Sequence, residues 1–167
     1  MSHIEVENPR GLVLMRHGLT TCRDNEEVLS KIGVEQIWRT AKDMVLGDLR
    51  PDFILSSRAP RAKQTAQLLA DLFQQAGWKI TLREDDRVEY GNILEALSSL
   101  GTERVILVVG HKDTIDAATE KLTSRSFAPR FAEAVLIDCM NIPGNSWQQA
   151  FKSNNNRWVE NIPRHWV

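Results

Sequence analysis

Cysteine is scarce in this sequence of 167 residues: Cys22 and Cys139 lie far apart and form no C-x-x-C motif. This pattern argues against a disulfide framework and against a zinc knuckle. No uninterrupted apolar run approaches the roughly 18 residues that a membrane-spanning helix requires. The first ten residues, MSHIEVENPR, contain acids where a signal peptide has an apolar run. We therefore expect a cytoplasmic protein that does not bind a membrane.

An excess of charge of either sign is also missing, because 21 Lys and Arg residues are balanced by 22 Asp and Glu residues. A nearly neutral chain has no global field that attracts nucleic acid, so we expect none as a partner. The hydrophobic fraction of 42% is ordinary and argues against disorder. The length predicts a single domain over residues 1–167, with an N-terminal extension at 1–10 and a C-terminal hairpin at 145–163.

Short apolar runs alternate with longer amphipathic segments along the chain. Runs that are apolar throughout, as expected for inner strands of a parallel sheet, lie at 12–15, 53–55 and 105–109, with a weaker alternating run at 79–82. Segments of helical length lie between and after them, at 30–46, 61–75, 91–100 and 114–122. This order predicts a three-layer α/β/α domain with a mostly parallel mixed sheet and right-handed crossovers.

Two of the helical segments carry a clear apolar face. The predicted faces comprise Val34, Ile37, Ala41, Met44 and Val45 in the first segment and Ala62, Ala66, Leu69 and Phe73 in the second. Periodicity does not decide between strand and helix for residues 128–139. The turn signal S-N-N-N at 153–156 predicts the C-terminal hairpin.

Cationic and imidazole side chains follow three of the predicted strands. Arg16 and His17 come after the first strand, Arg58 and Arg61 after the second, and His111 after the fourth. In an open α/β sheet, ligands bind beyond the carboxyl ends of the strands, so we expect these side chains to lie around one pocket. Arginine binds phosphate oxygens in a bidentate manner, and helix N-termini add N–H donors. The sequence therefore predicts a phosphate site.

Other chemistries at this edge of the sheet are disfavoured. A metal site could draw on His17, His111, Asp113 and Asp116, but the neighbouring arginines raise the electrostatic cost of a dication. Neither cysteine has an arginine six positions later, as the cysteine-phosphatase loop requires, and no G-x-x-x-x-G-K-[ST] loop is present. We expect no metal or other cofactor, and we interpret Cys22 as a bystander near the site.

At these residues the sequence resembles the histidine phosphatase superfamily, whose fold is phosphoglycerate mutase-like. Residues 14–18 with Thr20 resemble its R-H-G signature, and residues 57–66, S-R-A-P-R-A-K-Q-T-A, are similar to its S-x-x-x-R-A-x-Q-T segment. Residues 108–111 resemble its second histidine motif, and Leu29, Gly33 and Gln36 match an L-x-x-x-G-x-x-Q helix start. The resemblance runs from about residue 11 to 115. The short length, without an insertion that could act as a lid, looks most like the compact SixA-type phosphohistidine phosphatases.

The resemblance implies a double displacement. His17 would attack phosphorus and become phosphohistidine, and water would then release phosphate. Arg16, Arg61 and His111 would hold the equatorial oxygens as charge develops. A nucleophilic imidazole must be neutral, and we expect the surrounding cations to lower the pKa of His17 and so favour that form. His111 would act as a donor that is protonated when phosphate is bound.

Two positions depart from the pattern of the superfamily and bear on phosphate binding. Leu19 stands where many members have Glu, and Arg23 stands where the mutase-like branch often has Asn. The Arg23 side chain is either a third phosphate clamp or a solvated arginine.

The proton donor is expected on the stretch after the third strand. Glu89 is the best candidate, Asp85 and Asp86 are alternatives, and the absence of any donor is a further possibility. An alkoxide leaving group needs a proton in the transition state, whereas an imidazole or an aryl oxide leaves more easily. Without a donor, the enzyme should prefer phosphohistidine or activated aryl phosphates.

The leading hypothesis is a metal-independent phosphatase that acts on protein phosphohistidine or another exposed phosphate. The alternative is a small-molecule phosphomonoesterase or a phosphoglycerate mutase-like enzyme. A second alternative is a phosphate-binding module without turnover, supported by the unusual neighbours Leu19 and Lys112. The expected partner is a phosphorylated protein or a small phosphate ester, and the expected state is a monomer or weak dimer.

Overall fold

The computed structural model describes residues 11–100, 105–123, 126–138 and 148–153. Within these ranges the chain forms eight strands and five helices. In chain order they are β1 (Gly11–Arg16), β2 (Thr20–Arg23), β3 (Glu26–Leu29), α1 (Lys31–Leu46), β4 (Phe53–Ser56), α2 (Pro60–Gln75), β5 (Thr81–Glu84), α3 (Asp86–Glu89), α4 (Ile93–Ser98), β6 (Val105–Gly110), α5 (Lys112–Thr123), β7 (Ala134–Asp138) and β8 (Gln148–Ser153).

Six strands form one sheet in the order β5-β4-β6-β1-β7-β8. The first four run parallel to one another, whereas β7 pairs antiparallel with β1 and β8 pairs antiparallel with β7. Strands β2 and β3 form a separate antiparallel hairpin. The predicted mostly parallel mixed sheet is confirmed.

Both faces of the six-stranded sheet are buried. Successive side chains of a strand point to opposite faces. In β1, Val13 and Met15 belong to one apolar cluster and Leu12 and Leu14 to the other. Residues of α1 and α2 complete the first cluster, and residues of α3, α4 and α5 complete the second. This arrangement confirms the three-layer α/β/α architecture.

The two long helices begin where their sequences favour a start. The Ser30 side chain caps α1 by accepting a hydrogen bond from the Gly33 N–H at 3.0 Å. Pro60 begins α2, at a position where its missing N–H has no helical partner to lose. All four residues of the predicted apolar face of α2 are buried.

The predicted apolar face of α1 is correct only in part. Ile37, Ala41 and Met44 are buried, but Val34 is 43% exposed, and its place near the helix start is taken by Gly33. Gly33 lies against the loop that follows β1, and that close approach turns Val34 away from the core.

Three segments differ from the prediction or extend it. The β2–β3 hairpin was not predicted, because most of its residues are polar and exposed; Asp24 and Asn25 form its turn with positive φ. The predicted helix at 91–100 is only α4, which is separated from α3 by Gly91 at φ +86°. Residues 128–139, left open between strand and helix, contain β7.

The C-terminal part of the predicted hairpin at 145–163 and the predicted extension at 1–10 lie outside the described residues. The described part of that hairpin, β8, pairs with β7. Within the described ranges, no helix is both long enough and apolar enough to cross a membrane.

Candidate active site

A cavity of about 440 Å³ lies at the carboxyl ends of β1 and β6. It contains four of the five groups that the sequence places after the strands, together with residues of the hairpin, of α5 and of the loop before β7. The fifth, Arg58, was wrongly expected here: its exposed side chain pairs with Asp86 at 3.0 Å and does not line the cavity. The lining residues are Arg16, His17, Thr20, Glu27, Arg61, Glu89, His111, Lys112, Asp113, Thr114 and Phe131.

The register of the parallel strands brings the two histidines together. Arg16 at the end of β1 is paired with Gly110 at the end of β6, so the residues that follow leave the sheet side by side. The His17 N–H donates to the Gly110 carbonyl at 3.0 Å. The two imidazole ring centroids lie 5.5 Å apart, close enough for both rings to contact one tetrahedral oxyanion.

His17 is held in one tautomer. The ring is only 6% exposed, and its Nδ1 lies 2.8 Å from the Gly18 carbonyl oxygen. Because a carbonyl oxygen only accepts, Nδ1 carries the proton and the neutral ring has its lone pair on Nε2. The ring nitrogen that can attack phosphorus is therefore Nε2.

Burial lowers the pKa of His17 to about 4, with smaller contributions from the nearby His111, Arg61 and Arg16. Sequence analysis expected the surrounding cations to be the cause. The direction is as expected, but desolvation is the larger effect. The imidazole is therefore neutral at physiological pH.

His111 is held by partners on both ring nitrogens. Its Nδ1 lies 3.3 Å from an Nη of Arg61, which only donates, so Nδ1 accepts and Nε2 carries the proton. Nε2 then donates to the Ser57 Oγ at 2.9 Å. Burial and the charge of Arg61 lower the pKa of His111, so this ring is also neutral. Its expected protonation in the presence of phosphate stays a prediction.

Arg16 is fixed by the loop before β7. Its guanidinium carbon lies 3.7 Å from the Phe131 ring centroid, and its Nη1 donates to the Pro129 carbonyl at 3.2 Å. Its Nε is buried. The Phe131 ring centroid also lies 5.8 Å from that of His17, so one aromatic side chain contacts both the Arg16 guanidinium and the His17 imidazole.

Several residues of the family motifs position the loop that carries His17. The Gly18 N–H donates to the Thr65 Oγ1 at 3.2 Å, and the Leu19 N–H donates to the Gln36 Oε1 at 3.0 Å. A Cβ at Gly33 would lie 2.1 Å from the Leu19 carbonyl oxygen, so only glycine allows α1 to approach so closely. These motif residues act as a scaffold for the loop.

The three candidate proton donors have different surroundings. Glu89, at the end of α3, lines the cavity and is half-buried. Asp85 caps α3 and pairs with Arg87 at 2.7 Å, while Asp86 pairs with the exposed Arg58 at 3.0 Å. Of these three carboxylates, only Glu89 is among the lining residues.

Other residues singled out in the sequence lie away from the cavity lining. Arg23 and Cys22 are exposed on β2. Asp116 accepts a hydrogen bond from the Phe127 N–H at 2.7 Å and does not join the histidines. In the described part of the chain, no group of three or more His, Cys, Asp or Glu side chains is arranged to hold a metal ion.

Sequence analysis missed Glu27, Phe131 and Pro129. Glu27 lies on the hairpin, with its carboxylate 3.5 Å from the Arg61 Nη1. No motif marks it, and the only available signal was its closeness in sequence to the R-H-G motif. Phe131 and Pro129 reach the site through a loop that is more than one hundred residues away from Arg16 along the chain.

Residues 12–90 match the family model of the histidine phosphatase superfamily (branch 1). An uncharacterized chloroplastic protein of Arabidopsis thaliana is 26% identical over 157 residues, covering 85% of this chain and 71% of that protein. The matched residues include the first histidine motif and the arginine motif. His111 lies outside them, but the structure places it beside His17.

Two solved structures share the fold. A candidate phosphohistidine phosphatase SixA from Agrobacterium tumefaciens has a TM-score of 0.70 at 22% identity, with coverage of 87% of this chain and 99% of that one. A mycobacterial glucosyl-3-phosphoglycerate phosphatase complexed with VO3 has a TM-score of 0.60 at 19% identity, with coverage of 92% and 100%. The prediction of a phosphohydrolase is supported, and the chain is similar to the histidine phosphatase superfamily over residues 12–90, which are 79 of its 167 residues.

Proposed function

We propose that the protein is a metal-independent phosphatase in which His17 is the nucleophile and a covalent phosphohistidine is the intermediate. The observation that carries the proposal is the meeting of two imidazoles and two guanidinium groups around one cavity, with the ring centroids 5.5 Å apart. The proposed substrate is protein phosphohistidine or another exposed phosphate.

In the first step, the lone pair on Nε2 of His17 attacks phosphorus. The bond between phosphorus and the leaving atom breaks, and its electron pair goes to that atom. The Gly18 carbonyl continues to accept from Nδ1–H and so stabilises the positive charge that develops on the ring. Arg16 and Arg61 bind the equatorial oxygens, and the Nε2–H of His111 turns from Ser57 to a phosphate oxygen.

In the second step, water attacks the phosphorus of phosphohistidine. The bond between Nε2 and phosphorus breaks, its electron pair returns to the ring, and phosphate leaves while one proton of the water passes to the Glu89 carboxylate. His17 is then neutral in its starting tautomer. Glu89 is the group on this cavity that we propose to protonate the leaving atom in the first step and to accept the proton of water in the second.

The proposed preference for phosphate on a protein rests on the exposure of one side of the cavity. Glu27, Lys112 and Asp113 are lining residues, and all three are exposed to solvent. The likeness of the fold to a SixA structure supports this proposal. The likeness to a glucosyl-3-phosphoglycerate phosphatase favours the alternative, a small-molecule phosphomonoesterase.

Substrate profiling distinguishes the protein phosphatase from the small-molecule phosphomonoesterase. If the leading proposal holds, kcat/KM for a chemically phosphorylated histidine peptide exceeds that for sugar phosphates and phosphoglycerates. The reverse order would favour the small-molecule enzyme.

The nucleophile is tested with a His17→Ala variant and 4-nitrophenyl phosphate. We expect turnover to fall by about 10³-fold or more, because the covalent route is lost, while EDTA leaves the wild-type rate unchanged. The control is Arg23→Ala, on the same side of the molecule but outside the cavity lining, which should retain activity. Activity that depends on added metal, or a fully active His17→Ala variant, would contradict the proposal.

A further inference from the structure

Two carboxylates of the cavity lining are more exposed than its arginines and histidines. Its exposed lining residues, which we call the mouth, are Glu27, Lys112 and Asp113. The half-buried Glu89 also lines the cavity. The two arginines and two histidines that would bind phosphate are all less exposed than the mouth. Two carboxylates and one ammonium group therefore line the exposed side of a cationic phosphate site.

Glu27 links the mouth to the phosphate site. Its side chain is 59% exposed, and its carboxylate lies 3.5 Å from the Nη1 of Arg61. The Nη2 of the same guanidinium contacts the Nδ1 of His111 at 3.3 Å. A phosphate bound by Arg61 would therefore lie close to the Glu27 carboxylate, and the group that carries the phosphate would have to pass the mouth.

We propose that Glu27 is a specificity-determining residue that, with Asp113, favours substrates whose phosphate is flanked by positive charge. The same carboxylates discriminate against substrates that carry a second anionic group beside the phosphate. This inference rests on the proposed phosphatase function and adds to it the chemical class of the substrate: a phosphate on a basic stretch of polypeptide.

The size of the effect follows from Coulomb attraction near a protein surface. One charge pair at the separation of neighbouring side chains changes kcat/KM by roughly threefold to tenfold when the effective dielectric constant is close to that of water, as it is at an exposed mouth. Because the mouth is exposed, salt should screen the effect. Selectivity that comes from shape alone would not respond to salt in this way.

The test compares two peptides that carry a chemically phosphorylated histidine and differ only in whether lysines or aspartates flank it. For the wild type, kcat/KM should be higher for the lysine peptide by roughly tenfold or more at low salt. In a Glu27→Gln variant this ratio should fall by roughly threefold to tenfold, and in Glu27→Lys it should fall further. Added NaCl should lower the wild-type ratio.

Glu26→Gln is the matched control. Glu26 is the neighbouring residue in β3 and is equally exposed, but it is not a lining residue, so the same loss of charge should leave the ratio unchanged. Hydrolysis of 4-nitrophenyl phosphate, which has no charged flank, should stay within about threefold of wild type in Glu27→Gln if the phosphate site is intact.

Equal rates of the wild type on both peptides, including no turnover of either, would overturn the inference. An unchanged ratio in Glu27→Gln would do the same. An equal loss of kcat/KM in Glu27→Gln toward both peptides and 4-nitrophenyl phosphate would also overturn the inference, because Glu27 would then act only by positioning Arg61. These outcomes are distinct from failure of the phosphatase proposal, which would appear as unimpaired hydrolysis of 4-nitrophenyl phosphate by His17→Ala.

Discussion

At the scale of single residues, the chemistry of the site depends on how His17 is enclosed. The Gly18 carbonyl selects the tautomer, and burial keeps the ring neutral. Phe131 contributes to that burial from one side while its face contacts the guanidinium of Arg16. A nucleophile protected in this way remains unprotonated well below the pH at which an exposed histidine gains its proton.

This enclosure predicts a pH profile. The pKa of His17 is lowered to about 4, so the nucleophile is lost only as the pH falls through about 4. Phe131→Ala would expose the ring and raise that pKa toward the ordinary value of about 6.5, moving the acid limb of kcat/KM to higher pH. The measurement is kcat/KM for 4-nitrophenyl phosphate against pH. Phe131→Leu, which keeps an apolar side chain, should shift the acid limb of the pH profile less than Phe131→Ala does. The same acid limb in the wild type and both variants would contradict this explanation.

Glu89 gives a second prediction at this scale. Removing a positioned acid costs most when the leaving group is poor. We expect Glu89→Gln to lower kcat for an alkyl phosphate such as glycerol 2-phosphate by about 100-fold, and for 4-nitrophenyl phosphate by less than about tenfold. Asp86→Asn is the control, because Asp86 pairs with Arg58 and does not line the cavity. Equal losses on both substrates would rule out Glu89 as the proton donor.

At the scale of elements, the site depends on how α1 and α2 contact the loop after β1. The residue that caps α1, Ser30, holds the backbone of Leu19. The Leu19 carbonyl accepts hydrogen bonds from the Ser30 N–H and from the Ser30 hydroxyl, each at 2.9 Å. Helix α2 holds the same loop through Thr65, and it also accepts a hydrogen bond from the Leu29 N–H at 2.8 Å through Gln64. The helices therefore position the loop that carries the proposed nucleophile.

A Gly33→Ala variant tests the close approach of α1 to the Leu19 carbonyl. A Cβ there would lie 2.1 Å from the Leu19 carbonyl oxygen, so either the helix or the loop must move. We expect Gly33→Ala to lower the free energy of unfolding by about 1–3 kcal/mol and to reduce kcat/KM, because the loop that carries His17 is displaced. Urea unfolding and steady-state kinetics measure the two effects. Lys31→Ala, at an exposed position two residues earlier, should change neither quantity. A Gly33→Ala variant that behaves like Lys31→Ala would refute the scaffold role.

At the scale of the whole molecule, the sheet brings together residues that are distant in sequence. Apolar runs on both faces of β1, β4 and β6 predicted a covered parallel sheet, and the rule that ligands bind beyond its carboxyl edge placed Arg16, His17, Arg61 and His111 together. That much could be predicted because strand order and strand direction alone determine where such residues end. The short sequence motifs around these four residues then indicated phosphatase chemistry.

What the sequence did not predict depends on contacts between segments without a periodic pattern. Glu27 lies on an exposed polar hairpin, and Phe131 lies on a loop whose path follows from the pairing of β7 with β1. Sequence analysis ranked Glu89 above Asp85 and Asp86, but the pairing of Asp86 with Arg58 is a contact that only the folded chain brings about. Side-chain contacts of this kind are decided by packing and not by spacing.

The central claim is that His17 becomes covalently phosphorylated during turnover. The most direct measurement mixes the enzyme with 4-nitrophenyl phosphate, stops the reaction within milliseconds in alkaline denaturant, and locates phosphate on the digested peptides by mass spectrometry. The account predicts phosphate on His17 that is stable to alkali, is removed by acid, and is absent from His17→Ala. Turnover without phosphate on His17, or phosphate that is bound but never transferred to the ring, would contradict it.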